Sequence, residues 1–381
     1  MPATSRVVQI YLCRLGGLLR SSQALFISCT LLIGLGMTVV GCAAESQNRA
    51  KHRHDHEHLS IGVDDIPSVG SALARAVVKP FSQRFGIGID IWDINADAPH
   101  TRLGQVGPAG GELDMILVPS VTFSQAWRRG ALACIKPCPV ETSVGTRGEQ
   151  YSHGRPAGYV GSVILYRKSH FLGRVPSSWV DFWDTAHYPG KRALRDSPRG
   201  LLELALIADG VPVAHLYPLD IDRALRRLTL IKPFVGLWWK TESTVMIAIR
   251  SGTVAMAEAP GTTVSSNLRT TSDSDIAIVN KLTALDERWW VIPKKKHLTA
   301  DVTDFLEYVA SSQSSRSLAE TGVVTLPDHM ASAYLGSDGI GNGSANPQVE
   351  PIAFVINDDW WYANGPEAER RWRKWRATIS R

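Results

Sequence analysis

No catalytic signature punctuates this chain. It contains no GxSxG elbow, no HExxH pair, no phosphate-binding P-loop and no GxGxxG set between a strand and a helix. Those absences argue against an enzyme and leave no cofactor to place. Long runs of Lys and Arg interleaved with aromatics are missing too. With 41 Lys+Arg against 36 Asp+Glu the basic excess is mild, which argues against a nucleic-acid partner. Cysteine is scarce, at five residues. Tryptophan is abundant: twelve residues, among them the pairs Trp238-Trp239, Trp289-Trp290 and Trp360-Trp361. Most such residues fill cores and lobe interfaces, and one or two would line a pocket for a flat or cationic ligand. At 44% hydrophobic and 20% charged over 381 residues, the chain has apolar material for two domains or lobes.

The N-terminus speaks to compartment. Arg6, Arg14 and Arg20 precede an uncharged run from Ser21 to Ala44 with an apolar core from Ala24 to Val40. It ends in Val39-Val40-Gly41-Cys42, which resembles the lipobox at which bacterial lipoproteins are cleaved and their new N-terminal Cys acylated. Residues 1–41 then form a lipoprotein signal peptide and Cys42 carries the lipid; a retained transmembrane anchor fits the length as well. Either way the remainder lies outside the cytoplasm, in the periplasm or cell envelope. Cys134 and Cys138 are the cysteines left in the body, and in an oxidising compartment they are expected to pair in a small loop. Residues 42–58 form a polar linker in which His52, His54, His56 and His58 alternate, so an extended chain places them on one side. Such a tract collects metal weakly; a solvated tether is the plainer expectation.

From Leu59 the pattern turns α/β. Leu59 to Val63 is a strand, Ser71 to Phe85 an amphipathic helix with Leu73, Ala76, Val77 and Phe81 inward, and Gly86 its stop. Asp114 to Val118 is a strand ending at Pro119-Ser120, followed by a helix from Val121 to Arg129. The same grammar returns after Val163–Tyr166. Ser177 or Ser178 caps a short helix with Trp179, Phe182 and Trp183 on one face, and Lys191 to Arg195 is a strand. Ser197 then caps a second helix with Pro198 at its first position. Asp220 caps a helix from Ile221 to Lys232, and Thr253 to Glu258 is a strand. The final helix is expected from Pro366 to Arg376. Strands alternating with helices predict a mostly parallel sheet covered on both faces, with ligands beyond the carboxyl ends of its strands. That rule nominates Asp64, Asp65 and Ser120, and the strand edge at Glu258. The strand that runs into the capped helix start at Ser197 nominates Ser197 and Arg199, with Arg199 suited to a carboxylate or to an internal pair with an aspartate such as Asp196.

The ordered segments taken together resemble the extracellular solute-binding proteins of ABC importers, of the spermidine/putrescine-binding type. They include residues 79–86, 114–120, 178–184, 192–200, 217–224, 251–256 and 290–293, Trp238-Trp239, and the closing Asp358-Asp359-Trp360-Trp361. The resemblance implies a type II periplasmic-binding-protein fold: two α/β lobes, residues 59–163 and 164–287, joined by two hinge crossings, with residues 288–381 returning to the first lobe. It implies a monomer that captures a small molecule and delivers it unchanged to permease subunits in the inner membrane. A polyamine would need carboxylates from Asp64, Asp65, Glu242 and Glu258 and an aromatic face from Trp238 or Trp239. Ala259-Pro260-Gly261 stands where the family often carries an aromatic turn, and Arg199 suits a carboxylate, so a zwitterion related to 4-aminobutyrate is the other expectation. An envelope lipoprotein or ligand sensor that kept the fold without transport is the alternative.

Overall fold

A ten-stranded sheet carries the fold, and two of its strands are long enough to belong to both of its halves. The computed structural model describes residues 58–63, 67–94, 113–135, 152–171, 173–270, 274–294, 296, 298–324 and 353–378. The N-terminal residues that contain Cys42, His52, His54 and His56 fall outside these, as do Asp64, Asp65 and Cys138. The first half comprises β1 (His58–Val63), helix α1 (Pro67–Leu73), α2 (Lys79–Phe85), β2 (Gly88–Asp93), β3 (Met115–Pro119) and α3 (Ser120–Arg128). The strand β4 (Gly154–Arg167) crosses into the second half, which holds α4 (Trp179–Trp183), β5 (Arg192–Arg195), α5 (Leu201–Ala208), α6 (Ile221–Ile231), β6 (Val235–Trp239), α7 (Glu242–Arg250), β7 (Met256–Pro260) and α8 (Gly261–Thr270). The strand β8 (Ile276–Val291) returns, followed by α9 (Ala300–Val309), α10 (Ser312–Ala319), the short β9 (Val323–Val324) and β10 (Ala353–Val355), and α11 (Asp358–Ala377).

Within each half the short strands run parallel: β1 with β2 and β3, β5 with β6 and β7. The crossing strands make the sheet mixed, because β8 lies antiparallel to β3 and β4, and β4 antiparallel to β7. The β4–β8 ladder changes register between Ser162 and Ile164, where the partner jumps from Ala284 to Val279. Extra residues on one strand bend it, and the bend falls where the sheet passes from one half to the other. A Cβ on Gly161 would run into Thr283 and Leu285, so the close approach of the crossing strands requires glycine there.

Each half buries both faces of its sheet. In the first, Leu59, Ile61 and Phe81 pack with Trp290 and Phe305 on one side, and Phe123 stacks on Trp289 at 4.2 Å on the other. In the second, Leu194, Leu202 and Leu228 form one layer with α4, α5, α6 and α11, and Trp239, Val245 and Ile249 form the opposite one.

Local signals place most elements. Gly86 ends α2 at φ 72°. Ser178 caps α4 by accepting from the Asp181 N–H at 3.3 Å, and Asp220 caps α6 by accepting from the Arg223 N–H at 2.9 Å. Asp220→Ala is expected to cost about 1 kcal/mol, read from the midpoint of a urea transition; an unshifted midpoint would mean the cap is replaced by solvent.

Two expectations need correction. Ser197 does not cap α5: Gly200, at φ 81°, is the residue before the helix, which starts at Leu201. The Ser-Pro pair instead opens a turn in which the Leu202 N–H donates to the Pro198 carbonyl at 2.9 Å. The last helix begins at Asp358, capped by Asn357, and carries Pro366 in its interior. An interior proline costs about 3 kcal/mol; burial of Trp361, Ala368 and Trp372 along one face opposes that cost. The C-terminal segment touches both halves: Phe305 of α9 meets Phe81 in the first, and α11 meets α3 of the first through the Arg128–Asp359 ion pair at 2.9 Å while Trp372 lies against Trp238 of the second at 5.8 Å.

Candidate functional site

A cleft of about 980 Å³ lies at the carboxyl ends of the parallel strands and takes its walls from both halves. The first half supplies Ser68, Asp93, Pro119 and Thr122, the second Arg195, Lys240, Glu242 and Glu258, and the crossing strands supply Ser162, Asp286 and Arg288. Among the described residues no aromatic side chain lines it.

Arg195 is the last residue of β5. Its guanidinium lies over the Trp239 ring, 5.5 Å from the centroid. Among the described residues no carboxylate forms an ion pair with it, although it lines the cleft. Lys240, the next cation along the wall, is exposed. Beside Arg195 stands Glu258, 3% exposed, near the end of β7. Its Oε1 accepts from Ser162 Oγ at 2.9 Å and its Oε2 from the Arg195 backbone N–H at 3.1 Å. A carboxylate offers about four acceptor positions, so two accepted bonds leave capacity for a further donor. Burial pushes the Glu258 carboxyl above its ordinary value, with Arg195 opposing.

Of the two expectations for Arg199, a solute carboxylate or an internal aspartate, the structure shows it paired with aspartates. Its Nη2 donates to Asp286 Oδ1 at 2.8 Å and to Asp358 Oδ1 at 2.5 Å, with Ser120 Oγ at 3.4 Å. Its plane rests on Trp361 at 5.7 Å. Asp196, the internal partner the sequence suggested, pairs instead with Arg376 of α11 at 2.8 Å. Arg199 therefore ties α3, β8 and α11 together at the back of the cleft. Burial works against charge on Asp286, yet Arg199 and then Arg288, whose Nη1 is 3.2 Å away, hold its carboxyl well below the usual range. Burial works against the Arg199 charge as well, and the two aspartates override it, so the guanidinium is held charged more firmly than usual. Asp358, with one cation shared between two carboxylates, has its carboxyl raised by burial.

Glu242, at the start of α7, is 9% exposed and accepts from Ser68 and Thr263. Trp239 is 1% exposed; its Nε1–H donates to the Glu258 carbonyl at 2.9 Å, so it supports Arg195 and Glu258 from behind instead of facing the cleft. Trp238 faces the other side of β6, against Trp372 and Trp375, because consecutive strand residues point to opposite faces. Ser197 lines the cleft; Ser120, buried, bonds to the Arg199 knot. Cys134 is disulfide-bonded. His58 is exposed in β1, 3.6 Å from Asp90. Among the described residues no three metal-ligating side chains converge, and no helix is long and apolar enough to cross a membrane.

The cleft thus brings together Ser197, Arg199, Glu242 and Glu258 of the expected residues, and leaves out both tryptophans. Arg195 escaped the sequence analysis although the strand-end rule that selected Glu258 applies to it equally. Asp286, Asp358 and Ser68 carried no local signal.

Residues 76–342 match the model of a family described as bacterial extracellular solute-binding protein. A curated gamma-aminobutyric acid-binding protein of Pseudomonas aeruginosa is 25% identical over 320 residues, covering 81% of this chain and 88% of its own. Among solved structures, an ABC transporter substrate-binding protein of Bradyrhizobium japonicum superimposes with a TM-score of 0.64 at 24% identity, over 84% of this chain and 99% of that one. A spermidine/putrescine substrate-binding protein of Streptococcus pneumoniae gives 0.56 at 16%, over 84% and 99%. These relatives are described as binding proteins and not as enzymes, the two solved structures as substrate-binding proteins of ABC transporters, and the α/β fold is that of periplasmic binding proteins.

Proposed function

We propose, for a chain that belongs to the bacterial extracellular solute-binding protein family, that its solute is a small zwitterion with one carboxylate and one ammonium group, such as 4-aminobutyrate, delivered to an ABC permease. The observation that carries this reading is the pairing in one wall of Arg195, whose guanidinium has no ion-pair partner among the described residues, with the buried carboxylate of Glu258. Arg195 receives the solute carboxylate through parallel N–H bonds, and Glu258 accepts from the ammonium. Contacts from the first half, Asp93 and Thr122 among them, exist only when the halves meet, which is what drives closure. Asp64 and Asp65, which follow β1 in the sequence and lie outside the described residues, are kept in this proposal as candidate partners for the ammonium. The relative described as binding gamma-aminobutyric acid supports the same class. A polyamine is the second reading, favoured by Asp93 and Glu258; it would meet Arg195 and Lys240 without an aromatic face for its methylenes among the described lining residues. In this proposal Cys42 carries the lipid anchor, and the protein acts as a monomer in the cell envelope. A ligand sensor with the same cleft differs only in lacking a permease.

A thermal-shift screen of ω-amino acids, putrescine and spermidine tests the solute class. A ligand at 100 times its Kd adds about 2.7 kcal/mol of stability; a response to spermidine and none to 4-aminobutyrate would reverse the order of the two readings. Acidity provides a second check. Because the Glu258 carboxyl is raised above its ordinary value by burial, it takes up a proton at higher pH than an ordinary glutamate, and the ammonium then loses its partner. Affinity should fall with pH before ordinary glutamates titrate, binding should release a proton in that window, and Glu258→Gln should flatten the profile. Calorimetry in buffers of different ionisation enthalpy reads the proton directly.

A further inference from the structure

Ser68 lies in the first half at the start of α1, 7% exposed, and faces Glu242, which opens α7 in the second half. Its backbone N–H donates to Glu242 Oε2 at 2.9 Å and its Oγ to Oε1 at 2.5 Å. Thr262 Oγ1 is 2.7 Å from Ser68 Oγ, and Thr263 Oγ1 donates to Glu242 Oε1. Thr262 and Thr263 are 1% and 2% exposed, so this polar cluster is almost dry.

The two sides of the cluster differ in when they form. Thr263 and Glu242 belong to the same half, so their bond survives separation of the halves and holds the carboxylate in position. The Ser68 bonds span the halves and exist only while these are together. Both Glu242 oxygens are engaged by protein groups. We infer that Ser68 is a positioning residue of the solute site: it clasps Glu242 across the cleft, so that the closed arrangement draws on protein contacts before the solute adds its own. This rests on the proposed closure of the two halves around a solute, and it moves Glu242 from ligand carboxylate to clasp.

The consequence is quantitative. Apparent affinity scales with the fraction of protein in the binding-competent arrangement. Loss of the clasp lowers that fraction for every solute alike, whereas loss of a ligand carboxylate would penalise only solutes that carry an ammonium.

The test uses the full chain as wild type, Ser68→Ala and Ser68→Thr. Small-angle X-ray scattering reports the solute-free size, and calorimetry reports affinity for 4-aminobutyrate, putrescine and succinate. Ser68→Ala should expand the solute-free protein and weaken every solute that the wild type binds by one common factor, about tenfold. Ser68→Thr, which keeps the hydroxyl, should restore both. An unchanged scattering profile in Ser68→Ala overturns the clasp, and so does a loss confined to ammonium-bearing solutes. The scattering comparison needs no solute, so failure of the zwitterion assignment leaves it intact.

Discussion

Arg195→Gln is expected to weaken binding of a carboxylate-bearing solute by about 100-fold or more while leaving the fold unchanged. Truncating one side of a desolvated charge pair costs about 2–5 kcal/mol, and 2.8 kcal/mol is a factor of about 100. The guanidinium forms no ion pair among the described residues and rests on Trp239 at 5.5 Å, so what the protein itself loses is the opposition Arg195 offers to the burial of Glu258. A glutamine keeps the aliphatic stem on that ring. Titration calorimetry with 4-aminobutyrate and with putrescine separates the two solute classes, since only the first presents a carboxylate to Arg195. Equal affinity of wild type and variant for 4-aminobutyrate would remove Arg195 from the site, and with it the zwitterion assignment.

Arg199→Met should do the opposite, disturbing the fold more than the chemistry of recognition. The guanidinium joins Asp286 and Asp358, at 2.8 and 2.5 Å, in a part of the cleft where each side chain is no more than 20% exposed. Removing one partner of a buried ion pair costs about 3–5 kcal/mol, because the remaining charge stays buried without compensation. Two aspartates are stranded here, with Arg288 alone left beside Asp286. The sign of the pH response follows from Asp286. In the wild type its folded pKa is depressed, so it contributes stability above its unfolded value that is lost as pH falls through the folded one. In Arg199→Met that contribution disappears, so the gap between variant and wild type should narrow only once pH falls below the ordinary aspartate range, where the wild type loses it too. Urea unfolding at neutral and acidic pH measures both effects. A neutral-pH difference below about 1 kcal/mol, the worth of a surface pair, would show that the knot adds little to stability.

These two arginines stand four residues apart, and their contrast shows what the sequence could convey. The elements around them were legible because their punctuation is local. Ser178 and Asp220 cap helices three residues ahead of the N–H groups they satisfy, and Gly86 ends a helix by its own backbone preference. The strand-end rule led to Glu258 and would have led to Arg195. An internal pair with an aspartate was legible as one option for Arg199, but not which aspartates, because its partners lie 87 and 159 residues further along the chain, a distance over which one sequence carries no pairing signal. Ser68 and Glu242, 174 residues apart, were hidden in the same way. The long β4 read as a strand only from Val163 to Tyr166, since Pro156, Gly158 and Gly161 interrupt its earlier part. Those residues are tolerated because β8 runs alongside for most of its length. Pro366 cut the last helix short in the sequence for a comparable reason: packing of Trp361 and Trp372 outweighs local propensity.

The layering of the second half also dictates a schedule. Of the apolar clusters, the one around Trp239 draws all its buried members from a single uninterrupted stretch, Val163 to Ile276. The layer around Phe81 waits for Trp290 and Phe305, that around Phe123 for Trp289, and that around Leu228 for Trp361 and Trp372. As the polypeptide is delivered from its leading end, the middle of the chain is thus the first part able to bury a sheet face completely. The earliest strands to emerge remain without their last partner until β8 arrives, and a truncation before that strand would release a chain whose opening segment has nowhere to dock.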